Sequence, residues 1–142
     1  WFDEKAIEPR FPFGFGLSYT SFDYSNLALN EMKDGIFASV KVKNTGIRSG
    51  GEVVQVYMKH QTASIRVPNY QLCGFKRIEL APGDSVLVDF LIPLSILEVV
   101  DESGSSRLEP GTFSFYVGGQ QPDERSAELT GKKVIEMLYQ LK

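Results

Sequence analysis

Apolar and polar residues alternate along most of the chain from Ile36 onward. In the run GIFASVKVKN, Ile36, Ala38, Val40 and Val42 fall on one face of an extended backbone, and mainly polar side chains fall on the other. A period of two is typical of a half-buried β-strand. The alternation recurs in three further runs, EVVQVYMKH, SVLVDFLI and TFSFYVGG (residues 52–60, 85–92 and 112–119). Each run is predicted to be a strand with one face in the core.

Turn-forming residues separate these runs, as in Asn44-Thr45-Gly46 and Gly118-Gly119. Pro82-Gly83 and Pro110-Gly111 fit the two central positions of a type II turn, because proline fixes φ and glycine accepts a positive φ. The runs SFDYSNLAL and LCGFKRIEL (residues 21–29 and 72–80) add further strands. The pattern predicts an all-β fold, an antiparallel β-sandwich of about seven strands.

Two segments leave the secondary structure open. PLSILEVVDESG (residues 93–104) favours an extended segment that ends in a turn at Ser103-Gly104, although Leu94, Leu97 and Val100 recur every three residues. TGKKVIEMLYQLK (residues 130–142) fits either a helix or a final strand from Lys133 to Leu138.

Charge and hydropathy exclude two classes of partner. The chain has 142 residues, with 15 Lys and Arg against 18 Asp and Glu and a net charge of −3. It has no run of like charges, which argues against a nucleic acid or an anionic membrane as partner. No stretch approaches the roughly 20 apolar residues of a membrane span. The length suits one domain.

Candidate catalytic and metal-binding residues are few. Cys73 and His60 are the sole cysteine and histidine, so the chain has neither an internal disulfide nor a Cys/His zinc site. Cys73 is predicted to be a small buried residue, and His60 a solvated residue at the end of a strand. The acidic pairs are predicted to be solvated loop carboxylates; they are Asp3-Glu4, Asp101-Glu102 and Asp123-Glu124.

The run GFGLSY begins like a dinucleotide-binding loop, but Tyr19 occupies the third glycine position and a strand is predicted to follow. We therefore predict no catalytic, cofactor-binding or metal-binding residue in this chain.

An aromatic cluster precedes the first strand. RFPFGFGLSYTSFDY (residues 10–24) contains Phe11, Phe13, Phe15, Tyr19 and Phe22 without a helical or strand period. Left in solvent, these rings would form an apolar patch larger than monomers usually expose, so we expect another surface to cover them.

The connection from His60 to Gln71 is long for a hairpin and mixes polar with apolar residues. Loops of this length tend to be functional, and Arg66, Asn69 and Tyr70 are its candidate partner-facing residues. As an alternative, Tyr70 could contact sugar, as could Trp1 and Tyr139; the plainer interpretation is a ring packed under its own loop.

Four blocks resemble the fibronectin type III-like domain of glycoside hydrolase family 3 β-glucosidases. They are EPRFPFGFGLSYTSFDYSNL, VKNTGIRSGGEVVQVYM, LCGFKRIELAPGDS and EPGTFSFYVGG, at residues 8–27, 42–58, 72–85 and 109–119. Their order and spacing also fit the family. The sequence departs from it after Gly118, where Gly119-Gln120-Gln121-Pro122 follows.

The resemblance implies an immunoglobulin or fibronectin type III-like sandwich over residues 21–142, preceded by an interdomain linker segment at residues 1–20. It implies a parent chain that is a retaining β-glucosidase, whose catalytic carboxylates lie on other domains. In this interpretation Phe11, Phe13, Phe15 and Tyr19 contact a neighbouring domain.

The predicted role is a non-catalytic structural domain that braces the catalytic domains. A carbohydrate-binding module, with polysaccharide as its partner, is the alternative. The opening WFDEKAIEPR has neither an initiator Met nor an apolar signal segment, so we expect an excerpt of a longer protein, cytoplasmic or secreted.

Overall fold

A computed structural model describes residues 8–142; Trp1 and the Asp3-Glu4 pair lie outside the described residues. The described part contains nine β-strands, one 3₁₀ helix and one α-helix. The strands are β1 (Phe22–Met32), β2 (Gly35–Asn44), β3 (Gly50–His60), β4 (Gln71–Leu80), β5 (Ser85–Pro93), β6 (Glu98–Val100), β7 (Ser106–Leu108), β8 (Gly111–Gly118) and β9 (Ile135–Leu141). The 3₁₀ helix spans Leu94–Leu97 and α1 spans Glu124–Thr130.

The strands form a sandwich of two antiparallel sheets. One sheet has the order β1-β2-β5 and the other the order β4-β3-β8-β9, while β6 and β7 pair as a separate short hairpin. The prediction of an all-β antiparallel sandwich is confirmed, with seven long strands and this hairpin in addition. Within residues 8–142 no helix combines the length and apolar character needed to cross a bilayer.

The core lies where the alternating pattern predicts it. The inward residues of β2, β3 and β8 are buried, and they include Ile36, Val54 and Phe115. In β5, Val88, Phe90 and Ile92 are buried, but Val86 is exposed because residues 81–87 all lie in solvent at that end of the strand. Burial of these side chains on the inner faces holds the two sheets together.

The two predicted type II turns have different outcomes. Gly83 has φ of 82°, and Asp84 N donates to Ala81 O at 3.1 Å, which closes the predicted turn. The reversal predicted at Pro110-Gly111 is wrong. Gly111 already begins β8, and Thr112 N donates to Thr62 Oγ1 at 3.1 Å, because the chain passes there from the β6–β7 hairpin into the four-stranded sheet.

The two undecided segments are also resolved. The favoured extended conformation is wrong for Leu94–Leu97, which form the 3₁₀ helix and bury Leu97, but Glu98–Val100 is extended as β6. The turn predicted at Ser103-Gly104 is confirmed, because Gly104 N donates to Asp101 O at 2.9 Å. The C-terminal segment is the strand β9.

The helix α1 was not predicted. Its cap residues were a usable signal, because Asp123 accepts a hydrogen bond from Ser126 N at 2.8 Å and Gly131 ends the helix with φ of 69°. The Asp123-Glu124 pair therefore belongs to a helix start, whereas Asp101-Glu102 lies at the turn between β6 and β7. The division of the chain into residues 1–20 and 21–142 stays a prediction.

Asn44 is a polar residue at the centre of one end of the sandwich. It is fully buried, and its Nδ2 donates to Arg48 O at 2.8 Å and to Leu80 O at 2.9 Å. Its Oδ1 accepts from Thr20 Oγ1 at 2.8 Å and from Gly46 N at 3.0 Å. One amide thus joins the two sheets, the turn after β2 and the chain before β1.

We expect Asn44→Ala to lower the free energy of unfolding by about 2–4 kcal/mol, because it leaves backbone carbonyls and a backbone amide without their partner. Urea unfolding followed by circular dichroism measures the change. Asn30→Ala, at an exposed position of β1, is the matched control and should change stability by less than about 0.5 kcal/mol. Equal losses for the two variants would contradict the role of Asn44.

Candidate functional site: the strap and the outer face of the sheet

Residues 8–20, here called the strap, lie across the outer face of the four-stranded sheet. Gln55 Nε2 donates to Gly14 O at 3.0 Å and to Gly119 O at 3.1 Å, and Tyr57 Oη donates to Gln55 Oε1 at 2.6 Å. These four residues are here called the clasp. Both amide hydrogens and the amide oxygen of Gln55 are therefore engaged. The clasp fixes the strap, β3 and the chain after β8 to one another.

The clasp changes the burial of β3. The alternating pattern assigns Gln55 and Tyr57 to the outer face, yet they are only 5% and 2% exposed. Burial raises the pKa of Tyr57 to about 12, with a contribution from the charge of Asp123. Tyr57 therefore keeps its proton and its role as a donor.

Gly14 is required by the geometry of the clasp. Its φ is +73°, and a Cβ at this position would clash with Gln55 Oε1 and lie 2.7 Å from Tyr57 Oη. At Gly16, by contrast, a Cβ would meet no atom within 4 Å. Only a residue without a side chain lets the backbone approach Gln55 closely enough to accept its hydrogen bond.

The predicted contact aromatics of the strap are largely uncovered. Phe11, Phe13 and Tyr19 are exposed, Phe13 by 66% and Tyr19 by 95%. Phe15 is half-buried and stacks on Phe11, with ring centroids 5.4 Å apart. Nothing within residues 8–142 covers the exposed rings, and their contact with a neighbouring domain stays a prediction.

Apolar side chains of the sheet extend this exposed surface. Val53 of β3 and Phe75 of β4 are exposed, and with Phe13 and Leu17 they line a cavity of about 410 Å³ between the strap and the sheet. These four residues are here called the apolar rim.

Glu52 lies beside this cavity at the start of β3. Tyr24 Oη donates to Glu52 Oε1 at 3.0 Å. Burial raises the pKa of Glu52, against the opposing effects of the Tyr24 hydrogen bond and the charge of Lys132. Burial likewise raises the pKa of Tyr24, so the phenol stays neutral. Gly119 permits this packing, since a Cβ there would clash with Glu52 Oε1.

The loop after β3 is fixed to the rest of the domain. Glu109 accepts from Ser64 N at 2.9 Å and from Ser64 Oγ at 3.0 Å, and Gln61 donates to Ser114 Oγ at 2.8 Å. Tyr70 is half-buried, and its ring meets that of Tyr116 edge-on at 5.6 Å.

Tyr70 thus packs against a ring of β8 rather than under its own loop, and a contact of Tyr70 with sugar or with another domain stays a prediction. Arg66 and Asn69 are exposed. A contact between this loop and other domains stays a prediction.

His60 differs from its prediction. It is buried, at 5% exposure, and stacks on Phe113 with ring centroids 4.1 Å apart. The expectation of a solvated histidine is wrong because Thr62 and Gly111 lie over the end of β3. Burial lowers the pKa of His60 in spite of the nearby charge of Glu109, so the ring is neutral near pH 7.

Cys73 was predicted to be buried; it is half-buried and packs against the core, and burial raises the pKa of its thiol to about 12. It is therefore not a nucleophile near neutral pH. Within residues 8–142, no group of three His, Cys, Asp or Glu side chains could hold a metal ion.

The clasp makes a direct prediction for the strap. We expect Gly14→Ala to release it, because the added methyl group displaces the Gln55 amide. Chymotrypsin should then cleave at least tenfold faster after Tyr19, a cleavage site that neither Gly14→Ala nor Gly16→Ala alters, measured by mass spectrometry. Gly16→Ala is the control and should leave the cleavage rate within about twofold of wild type. Equal cleavage of both variants would show that the strap is not held at Gly14.

Comparison with known proteins shows the family to which this architecture belongs. Residues 52–121 match the family model described as a fibronectin type III-like domain. The chain is 37% identical over 130 residues to the β-glucosidase BoGH3A of Bacteroides ovatus, covering 88% of this chain and 17% of that protein. It is 39% identical over 137 residues to a β-xylosidase of Formosa agariphila, covering 92% and 19%.

Solved structures agree with the sequence relatives. The fold superposes on β-glucosidase 3B of Thermotoga neapolitana with a TM-score of 0.85 and 29% identity, over 99% of this chain and 18% of that one. The chain thus spans less than a fifth of the length of these relatives. It belongs to the family of fibronectin type III-like domains carried by glycoside hydrolase family 3 β-glucosidases.

Proposed function

We propose that this domain is a non-catalytic brace within a β-glucosidase-type glycoside hydrolase, and that the strap and the apolar rim form its contact with the other domains of that parent. One observation carries the proposal: the domain holds the backbone of the strap in place but leaves its aromatic rings uncovered. The clasp holds Gly14 in one position, while Phe13 and Tyr19 beside it remain exposed.

The energetic argument concerns the rings that the strap exposes. Burial of an aromatic side chain contributes roughly 1.5–3 kcal/mol, so covering Phe13 and Phe75 together would stabilise the assembled parent by about 3–6 kcal/mol. Because the clasp already orders the strap, docking does not have to supply the conformational entropy of ordering it.

A role in the chemistry itself has no support from the described residues. Hydrolysis with retention needs two carboxyl groups about 5–5.5 Å apart on either side of a bound sugar. Asp101 lies in a turn and Asp123 caps α1, and the half-buried Glu52 has a tyrosine as its neighbour. In this proposal the catalytic carboxylates belong to other domains of the parent.

The alternative function, a carbohydrate-binding module, needs exposed and coplanar rings. Tyr70 and Tyr116 lie at 88° to each other, which is unsuited to a flat sugar face. Phe11 and Phe15 are closer to parallel, at 23°, but Phe15 is half-buried. These angles favour the brace. The similarity to a β-xylosidase leaves glucosides and xylosides as candidate substrates of the parent.

The test is a pair of substitutions in the full-length parent. Phe13→Ala with Phe75→Ala should lower the thermal midpoint of the parent by several degrees, because the docked surface loses two rings, and should change kcat by less than about threefold. In the 142-residue chain alone the same pair should change the midpoint little, since both rings are exposed there.

Leu91→Ala is the matched control, because Leu91 is an equally exposed apolar residue on the outer face of the other sheet. It should leave the midpoint of the parent unchanged. An unchanged midpoint for the Phe13 and Phe75 pair would overturn the brace. Binding of cello-oligosaccharides to the chain with a dissociation constant below about 1 mM would favour the carbohydrate-binding module.

A further inference from the structure

Glu52 lies under a part of the strap that stands away from the sheet. Two cavities, of about 520 Å³ and 410 Å³, open on either side of it. Both are lined by Glu52, by Gly119 and by strap residues Gly16, Leu17 and Ser18. The strap contacts the sheet at Gly14 through the clasp, so the space beside Glu52 is left between two fixed surfaces.

The hydrogen bonding of the Glu52 carboxylate is incomplete. A carboxylate can accept about four hydrogen bonds, and among residues 8–142 the side-chain donor to Glu52 is Tyr24 at 3.0 Å. Lys132 is the nearby cation, and its charge lowers the pKa of Glu52, but its Nζ donates to Phe22 O at 2.8 Å and forms no ion pair with the carboxylate. Among residues 8–142, no Lys, Arg or His nitrogen pairs with Glu52 within 4.0 Å.

The two cavities beside Glu52 differ: the one of about 520 Å³ is lined by polar residues that include Asp23, Thr130 and Lys132, and the one of about 410 Å³ is apolar along the rim. Phe13, Leu17, Val53 and Phe75 of the apolar rim line the same cavity as Glu52. A surface that covered the rim would remove water from the side of the carboxylate that faces this apolar cavity. Burying an unpaired charge is costly, whereas a buried carboxylate with a cationic donor is compensated. The pattern is therefore a negative charge within an apolar contact surface.

We propose that Glu52 is the docking carboxylate for a basic side chain, arginine or lysine, that projects from an apolar surface of an adjoining domain of the parent glycosidase. This inference rests on the proposed function, because it names the chemistry of the surface that the strap and rim would meet. Charge complementarity selects the occupant. Arginine suits the site best, since its planar guanidinium can give two parallel hydrogen bonds to one carboxylate.

The direction in which Glu52→Gln shifts the thermal midpoint distinguishes docking from a role within the domain. In the chain alone, burial raises the pKa of Glu52, so the ionised carboxylate opposes folding. The free energy of unfolding therefore falls as pH rises from the pKa of the unfolded chain through the higher pKa of the folded chain. Glu52→Gln removes that penalty, and at pH 7 it should leave the thermal midpoint of the chain unchanged or raise it by a few degrees. In the parent, the same substitution removes the partner of a buried cation and should lower the midpoint.

The experiment compares Glu52→Gln in the 142-residue chain and in the full-length parent by differential scanning calorimetry at pH 7. Glu98→Gln, at an exposed position of β6, is the control for the charge change and should shift neither midpoint. If the parent variant fails to fold while the chain variant folds, that outcome also supports docking, because it is a larger loss of stability confined to the parent. The deficit of the parent variant relative to wild type should disappear at acidic pH, where the docked carboxylate is protonated.

Three outcomes would overturn the docking carboxylate. A parent midpoint that is unchanged or raised by Glu52→Gln means that no cation docks there. Equal losses in chain and parent, or a chain variant that does not fold, mean that Glu52 acts only within the domain. The Phe13 and Phe75 pair keeps the two proposals distinct, because a loss there without a loss at Glu52 leaves the brace intact.

Discussion

The structure depends on one buried amide on the outside of a sandwich. Gln55 lies on the face of β3 that the alternation assigns to solvent, and its burial is tolerated because all three of its hydrogen-bonding atoms are engaged. The partners come from Gly14 and Gly119, so the amide can be satisfied only when the strap and the chain after β8 are both in place. This requirement makes the strap part of the fold.

Different interactions therefore stabilise the space between the sheets and the outer face of the four-stranded sheet. Between the sheets, aliphatic and aromatic side chains provide non-directional stabilisation, and many combinations of residues would serve. On the outer face, glycine and amide geometry is specific, because a single Cβ at Gly14 would exclude the strap. Stability comes mainly from the first layer, and the position of the exposed aromatic rings comes from the second.

The inner layer could be predicted from the sequence, since period-two alternation requires only neighbouring residues. The outer layer could not, because Gln55 and Gly14 are 41 residues apart and no local pattern joins them. The error at His60 has the same origin in part, because Gly111 and Phe113, which lie against its ring together with the nearby Thr62, are distant in the chain. The helix α1 was not predicted for another reason, because seven residues are too few to establish a helical period.

The aromatic segment before β1 illustrates what composition alone can and cannot establish. Its rings predicted a covered surface, and the structure adds that their backbone is held by the domain itself. A consequence concerns the acidity of the medium. The clasp consists of two backbone carbonyls, a carboxamide that does not titrate and a phenol whose pKa is about 12. No group of the clasp therefore gains or loses a proton between acidic and mildly alkaline pH, so its hydrogen bonds do not depend on pH over that range.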